Sequence, residues 1–218
     1  MPIKGAIFDM DGTLTESMHL WIEIGPRYVK KNLSIIPTEE EKLDMRGMMM
    51  EELGEYIVKT YDTTLTEEEV MAGIDKMTET GYFHEVKAKP YVKATLEALK
   101  EAGIPMCVAT ATDRYLTEAC LKRNGLDKYF GKIFTCRDYH TTKYGPDLFL
   151  EAGKFLGTEK NETYVFEDTL SSIKGAKKAE YPVIAVADRW QKHNRDKIKD
   201  TADYFLDSLK EFPNLNLL

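Results

Sequence analysis

Basic residues are in the minority in this 218-residue chain, 30 Lys and Arg against 37 Asp and Glu for a net charge of -7. They are scattered singly or in pairs, as at Lys30-Lys31 and Lys177-Lys178, a pattern of solvated helix faces rather than of a patch for a phosphate backbone. No nucleic-acid partner is expected. Cysteine is scarce: Cys107, Cys120 and Cys136 are odd in number and lack any CxxC spacing, so they read as buried free thiols and not as a disulfide or zinc site. The four histidines, His19, His84, His140 and His193, show no metal-ligand spacing either. Long apolar runs are also missing, and nothing approaches the ~20 residues of a membrane span. Met1 leads almost directly into an apolar strand, leaving no room for a signal peptide, so a cytoplasmic protein without a membrane partner is expected.

What is present is a 43% hydrophobic, 31% charged composition typical of globular proteins. The chain is organised around Ile7-Phe8-Asp9-Met10-Asp11-Gly12-Thr13. Ile3 to Phe8 is a short apolar run of the kind buried on both faces of a parallel sheet. Asp9 and Asp11 follow its C-terminal end, where open α/β sheets bind their ligands. Being two apart, they point the same way on an extended chain, and two like charges ~4 Å apart repel by ~4 kcal/mol at an effective dielectric of ~20. A cation or a shared proton must offset that. An Asp-Gly pair is also an ordinary turn former. A calcium loop is excluded, because the positions that require Gly and Glu are Leu14 and Leu20.

Between Asp9 and the next convincing strand, Ile104 to Ala109, lies far more chain than the ~30 residues of a βαβ unit. Two capping boxes, Thr38 with Glu41 and Thr66 with Glu69, predict helix starts there. Met48, Leu53, Tyr56 and Ile57, then Val70, Ile74 and Met77, recur at helical spacing. A first helix from about Glu16 carries Met18, Trp21, Ile22, Tyr28 and Val29, with Gly25-Pro26 predicting a kink or break. From Pro90 onward helix and strand alternate: a helix over 90–102, strand 104–109, helix 114–124, strand 132–136, helix 146–156, strand 163–166, a helix to about Ala179, and strand 182–187. The fold predicted is α/β, a Rossmann-like parallel sheet core with helices on both faces and an inserted α-helical cap domain. The core comprises residues 1–14 and 87–218, the cap residues 15–86.

Several strands then end in polar groups at one sheet edge: Asp9 and Asp11, Thr110, and Glu167 with Asp168, with Lys143 in the loop after the third strand. Singly each has a plain explanation, such as Thr110 or Thr112 as a helix N-cap, or Glu167-Asp168 as acids at a helix N-terminus. Together they form a cage of hard oxygen donors that suits Mg²⁺, beside a lysine and a hydroxyl, an arrangement fit for a phosphate group.

The set of DMDGT at 9–13, the apolar strand into Thr110, Lys143 followed by Pro146-Asp147, and Glu167-Asp168-Thr169 resembles the haloacid dehalogenase-like hydrolase superfamily, in its helical-cap group. That group includes β-phosphoglucomutase and many small-molecule phosphatases. The resemblance implies Asp9 as nucleophile and Asp11 as general acid/base. It implies Mg²⁺ held by Asp9, the Asp11 backbone carbonyl, Asp168 and Glu167, the last directly or through water. Phosphoryl oxygens would be held by Lys143, Thr110 and backbone N–H groups near Met10 and Ala111. The chain departs from the family pattern at Tyr144-Gly145, where Pro-Ala is common, and at Ser172 and Glu180, where Gly is frequent. Trp21 stands where β-phosphoglucomutases usually carry a cap histidine, and His19 is two residues early. The expected activity is a Mg²⁺-dependent phosphatase, working through an aspartyl phosphate on a small phosphorylated metabolite such as a sugar phosphate. A sugar phosphomutase is the alternative enzyme and a phosphoacceptor switch the alternative class. In the cap, Arg46-Gly47 is the predicted substrate contact ahead of Arg27, against a plain helix-terminal reading of the same pair. A monomer is expected.

Overall fold

The computed structural model describes residues 1–46, 48 and 50–218. In chain order its strands and α-helices are β1 (Gly5–Phe8), α1 (Met18–Tyr28), α2 (Glu39–Asp44), α3 (Met50–Thr60), α4 (Glu67–Thr80), α5 (Val92–Glu101), β2 (Met106–Thr110), α6 (Arg114–Arg123), β3 (Ile133–Thr135), α7 (Asp147–Leu156), β4 (Thr163–Glu167), α8 (Leu170–Lys178), β5 (Val183–Val186), α9 (Arg195–Thr201) and β6 (Tyr204–Leu206). The chain divides into one unit of Met1–Glu16 with Val86–Leu218 and a second of Ser17–Glu85. No helix among the described residues is long and apolar enough to cross a membrane.

In the first unit the six strands lie in the order β3-β2-β1-β4-β5-β6, and every pairing is parallel. Alternation along the strands buries both faces of the sheet. Ile7, Cys107, Ala109, Val165, Val183 and Ala185 cluster with Leu148, Phe149 and Ala152 of α7 and Ile173 and Ala176 of α8. The residues between them point the other way: Phe8 stacks on Phe166 at 4.2 Å, with Phe130 and Phe212 packed against that pair. Chain order reverses beside β1, since β2 and β3 extend to one side and β4 to the other. That makes the crevice beyond the C-terminal ends of β1 and β4 the topological switch point, where ligands bind in sheets of this order. The register sets Phe8 between Val108 and Phe166, so the segments that follow β1 and β4 leave the sheet side by side.

In the second unit Ile24, Tyr28, Val29, Met45, Leu53, Ile57, Val70 and Ile74 form the core. Both capping boxes are formed, Thr38 with Glu41 and Thr66 with Glu69. The Thr38 N–H donates to Glu41 Oε2 at 2.6 Å and the Thr66 N–H to Glu69 Oε2 at 2.9 Å. The helix does not break at Gly25-Pro26. It runs through Pro26 and loosens only afterwards, in a π-type turn over Val29–Leu33, because packing of its apolar face outweighs the local preference.

Three further details differ from the sequence reading. The helix expected from Pro90 begins at Val92, after Tyr91 has taken a left-handed conformation at φ 65°. A sixth strand, β6, pairs with β5 where no strand was predicted. The α6 N-cap is Asp113, with no side-chain capping bond, so neither Thr110 nor Thr112 caps that helix. The three cysteines are free, Cys107 and Cys120 buried and Cys136 half-buried.

Helix α8 ends in a Schellman arrangement, with the Glu180 N–H donating to the Lys177 carbonyl and the Tyr181 N–H to that of Ala176. The pivot of that turn is Glu180 at φ 67°, a conformation that costs any residue with a Cβ. Glu180→Gly removes that strain and loses only an exposed contact to Lys160. The expected outcome in a thermal melt is a Tm higher by about 2–4 °C, and an unchanged or lower Tm would show the turn to be unstrained.

Candidate active site

The turn after β1 is built from its own backbone. The Met10 carbonyl accepts from the Leu14 and Thr15 N–H groups, each at 2.9 Å, and from the Thr15 hydroxyl at 3.0 Å. Gly12 sits at φ +87°, and a Cβ there would lie 2.4 Å from Asp168 Oδ2. Glycine is therefore required both by conformation and by the approach of Asp168. Where the chain returns from the second unit, Lys87 and Lys89 pair with Glu16 and Leu14 through 2.9 Å backbone bonds.

At the end of β4, Glu167 Oε2 accepts from the N–H groups of Asp168 (2.7 Å) and Thr169 (2.8 Å) and from the Thr169 hydroxyl (3.1 Å). One carboxylate oxygen thus satisfies donors at the start of α8. The other, Oε1, pairs with Lys143 Nζ, which also donates to Asp9 Oδ1 at 2.5 Å. Lys143 is only 6% exposed. Its loop reaches this depth because α8 presents Gly175 beneath it; a Cβ at 175 would lie 2.1 Å from the Lys143 carbonyl oxygen.

Asp9, Glu167 and Asp168 are all buried and offer carboxylate oxygens within 4.8 Å of one another. Asp168 Oδ1 accepts a long bond from the Thr13 hydroxyl at 3.4 Å, and its Oδ2 is buried without a hydrogen-bond partner. Burial, with Glu167 and Asp11 nearby, pushes the Asp9 carboxyl up to about 8 against the pull of Lys143. Burial and the neighbouring Glu167, Asp9 and Asp188 raise Asp168 as well, against Lys89. Burial works against the Lys143 charge, but Asp9 and Glu167 outweigh it and raise its pKa. One ammonium does not neutralise three carboxylates. An orphaned buried oxygen beside a cluster of hard donors fits a divalent cation.

The structure thus brings Asp9, Lys143, Glu167 and Asp168 into one cluster. Thr110 is fully buried at the end of β2, its hydroxyl accepting from the Thr112 N–H at 3.1 Å. Met10 is buried and Ala111 exposed, in the turns after β1 and β2. Asp11 is half-buried and accepts from the Thr112 hydroxyl at 2.6 Å. Arg46 is exposed in the second unit, and Gly47 lies outside the described residues. Arg27 is engaged with Glu85 at 3.0 Å.

Sequence reasoning missed the Lys89–Asp188 pair, a 2.9 Å ion pair with both side chains largely buried. Lys89 also donates to the carbonyls of Gly12 and Ala187, tying the turn after β1 to the end of β5. Asp188 could have been found by the strand-end rule that found Glu167. Lys89, in an irregular connection, carries no local signal.

A family model described as haloacid dehalogenase-like hydrolase matches residues 6–186. A Clostridium perfringens protein named "Putative pyrophosphatase PpaX" is 31% identical over 81% of this chain and 80% of its own length. A Thermotoga maritima "Phosphorylated carbohydrates phosphatase" is 25% identical over 81% and 82%. A solved Thermotoga maritima structure, described as a "putative beta-phosphoglucomutase", superposes with a TM-score of 0.87 at 22% identity, covering 98% of each chain.

Raised carboxyl pKa values mean that, without a cation, the folded protein binds more protons than the unfolded chain. For Asp9 that stabilising surplus is complete below its ordinary 3.8 and is lost as pH rises through about 8. Melting in the absence of divalent ions is expected to lose stability between pH 5 and 8. Mg²⁺ added as a probe should raise Tm more at pH 8 than at pH 5, and Asp168→Asn should lose that pH-dependent gain. A Mg²⁺ gain that is the same at both pH values, or that survives Asp168→Asn, would remove the cluster as a cation site.

Proposed function

The chain belongs to the haloacid dehalogenase-like hydrolases, and from that premise we propose that it is a Mg²⁺-dependent phosphatase of small phosphorylated metabolites, working through an aspartyl phosphate. One observation carries this reading. Asp9 and Asp168 lie at the switch point of the sheet with a buried lysine against the first and an unsatisfied oxygen on the second. The names of the relatives, "Putative pyrophosphatase PpaX" and "Phosphorylated carbohydrates phosphatase", support the substrate class.

In this mechanism Asp9 attacks phosphorus in line, and the leaving alkoxide takes a proton from Asp11. Water then adds to the phosphorus of the aspartyl phosphate, giving a proton back to Asp11 and releasing inorganic phosphate and the Asp9 carboxylate. Lys143, the Thr110 hydroxyl and the N–H groups of the Met10 and Ala111 turns hold the transferring oxygens. Glu167 orients Lys143 through their ion pair, and it would serve the metal directly or through water. Mg²⁺ would be held by Asp9, the Asp11 carbonyl and Asp168, and when bound it supplies charge neutralisation between an anionic nucleophile and a phosphate dianion. Arg46, exposed in the helical unit, is the proposed contact to the rest of the substrate.

A panel of phosphorylated metabolites assayed with and without Mg²⁺ tests this. Phosphate release is expected to need Mg²⁺ and to fall by at least about 10³-fold in Asp9→Asn. Release from Asp9→Asn equal to the parent would remove the nucleophile. Isomerised sugar phosphate without net phosphate release would replace hydrolysis by the mutase reaction, an activity to which Trp21, its indole donating to the Tyr82 hydroxyl at 2.8 Å, contributes no acid or base.

A further inference from the structure

The proton-transfer role of Asp11 requires one of its oxygens to face the reacting oxygen in both half-reactions, yet a carboxyl on a half-exposed turn has a broad, nearly two-fold terminal torsion. Thr112 supplies a constraint. Its hydroxyl donates to Asp11 Oδ2 at 2.6 Å, a short bond from a side chain that is 5% exposed. Resting on the phosphatase reading above, we infer that Thr112 is a positioning residue: its hydroxyl fixes the Asp11 carboxyl through Oδ2 in the orientation from which it exchanges a proton with the leaving group and then with water.

Several observations converge on this. The carbonyl of Thr112 lies 3.4 Å from the Thr117 hydroxyl, which donates over a shorter 3.1 Å to the Asp113 carbonyl next to it in the first turns of α6, and Thr112 is 5% exposed. It does not cap α6, whose N-cap is Asp113, so helix capping does not account for its hydroxyl. Its N–H donates to the Thr110 hydroxyl at 3.1 Å, which occupies an acceptor site on Thr110 and directs that hydroxyl's own proton elsewhere. A single residue therefore aims two groups of the proposed chemistry, one through its side chain and one through its backbone. Donation to Oδ2 also serves both protonation states. A carboxylate accepts it, and so does the carbonyl oxygen of the neutral acid, so Thr112 does not have to turn as the Asp11 proton leaves and returns.

The test compares Thr112→Val, which keeps shape and loses the hydroxyl, with Thr112→Ser, which keeps the hydroxyl, using the best phosphomonoester of the panel. Thr112→Val is expected to lower kcat about 10–100-fold, the scale of a misaimed catalytic group, with KM within about 3-fold and the Mg²⁺ shift in Tm unchanged. Thr112→Ser should stay within about 3-fold of the parent, and Thr112→Ala replaces Val if Val does not fold. In an Asp11→Asn background the same Thr112→Val change should cost less than about 2-fold. A full penalty in that background, no rescue by Ser, an unchanged kcat, or a loss confined to KM would each overturn the role. Equal phosphate release by the parent and Asp9→Asn would instead sink the phosphatase reading, and the positioning role with it.

Discussion

Burying three carboxylates beside one ammonium is the constraint on which the six-stranded unit is built. Asp9, Glu167 and Asp168 are each nearly inaccessible, and taking such charges out of water is costly unless each finds a partner. Lys143 answers for Asp9 and for one oxygen of Glu167, and the amides opening α8 answer for the other oxygen of Glu167. Asp168 keeps one oxygen that no donor reaches. The imbalance is a property of the sheet order, because β1 and β4 are neighbours whose ends both deliver acids into the same crevice. Lys89 and Asp188 extend the arrangement by holding the Gly12 carbonyl to the end of β5, which fixes the turn that carries Asp9 and Asp11.

How much of this was legible in the sequence follows from the physics of each signal. Strands buried on both faces announce themselves as apolar runs, and parallel order puts their ends at one edge, so Asp9, Thr110, Glu167 and Asp168 could be found from one rule. Lys143 sits in a loop without local pattern, so only its place after the third strand pointed to it, and its role came from the family resemblance. Thr112 was noticed only as a possible cap, because spacing does not reveal where a hydroxyl points. Lys89 and Asp188 meet through tertiary structure alone. The misread elements have a similar origin. A proline at 90 suggested a helix start, but Tyr91 takes the left-handed conformation first, and of the kink or break suggested by Gly25-Pro26 the break does not form, the helix running on through Pro26 with Ile24, Tyr28 and Val29 in the core. The strand β6 is too short, at three residues, to show alternation.

The two glycines that shape the site show how local stability was set against placement. Gly12 occupies a backbone region closed to most residues, and there a side chain would also collide with Asp168. Gly175 has no such conformational need. It lies inside α8, where glycine costs a helix about 1 kcal/mol relative to alanine. Its presence is explained by the 2.1 Å that would separate a Cβ from the Lys143 carbonyl oxygen. A helix weakened at that point lets the lysine loop settle one side chain closer to the sheet, which is what brings Nζ to Asp9. Tyr144-Gly145 belongs to the same contact, since the Gly145 carbonyl would also meet a Cβ at 175. That loop and the glycine beneath it are therefore one packing solution, and a change on either side must be judged by where it leaves Lys143.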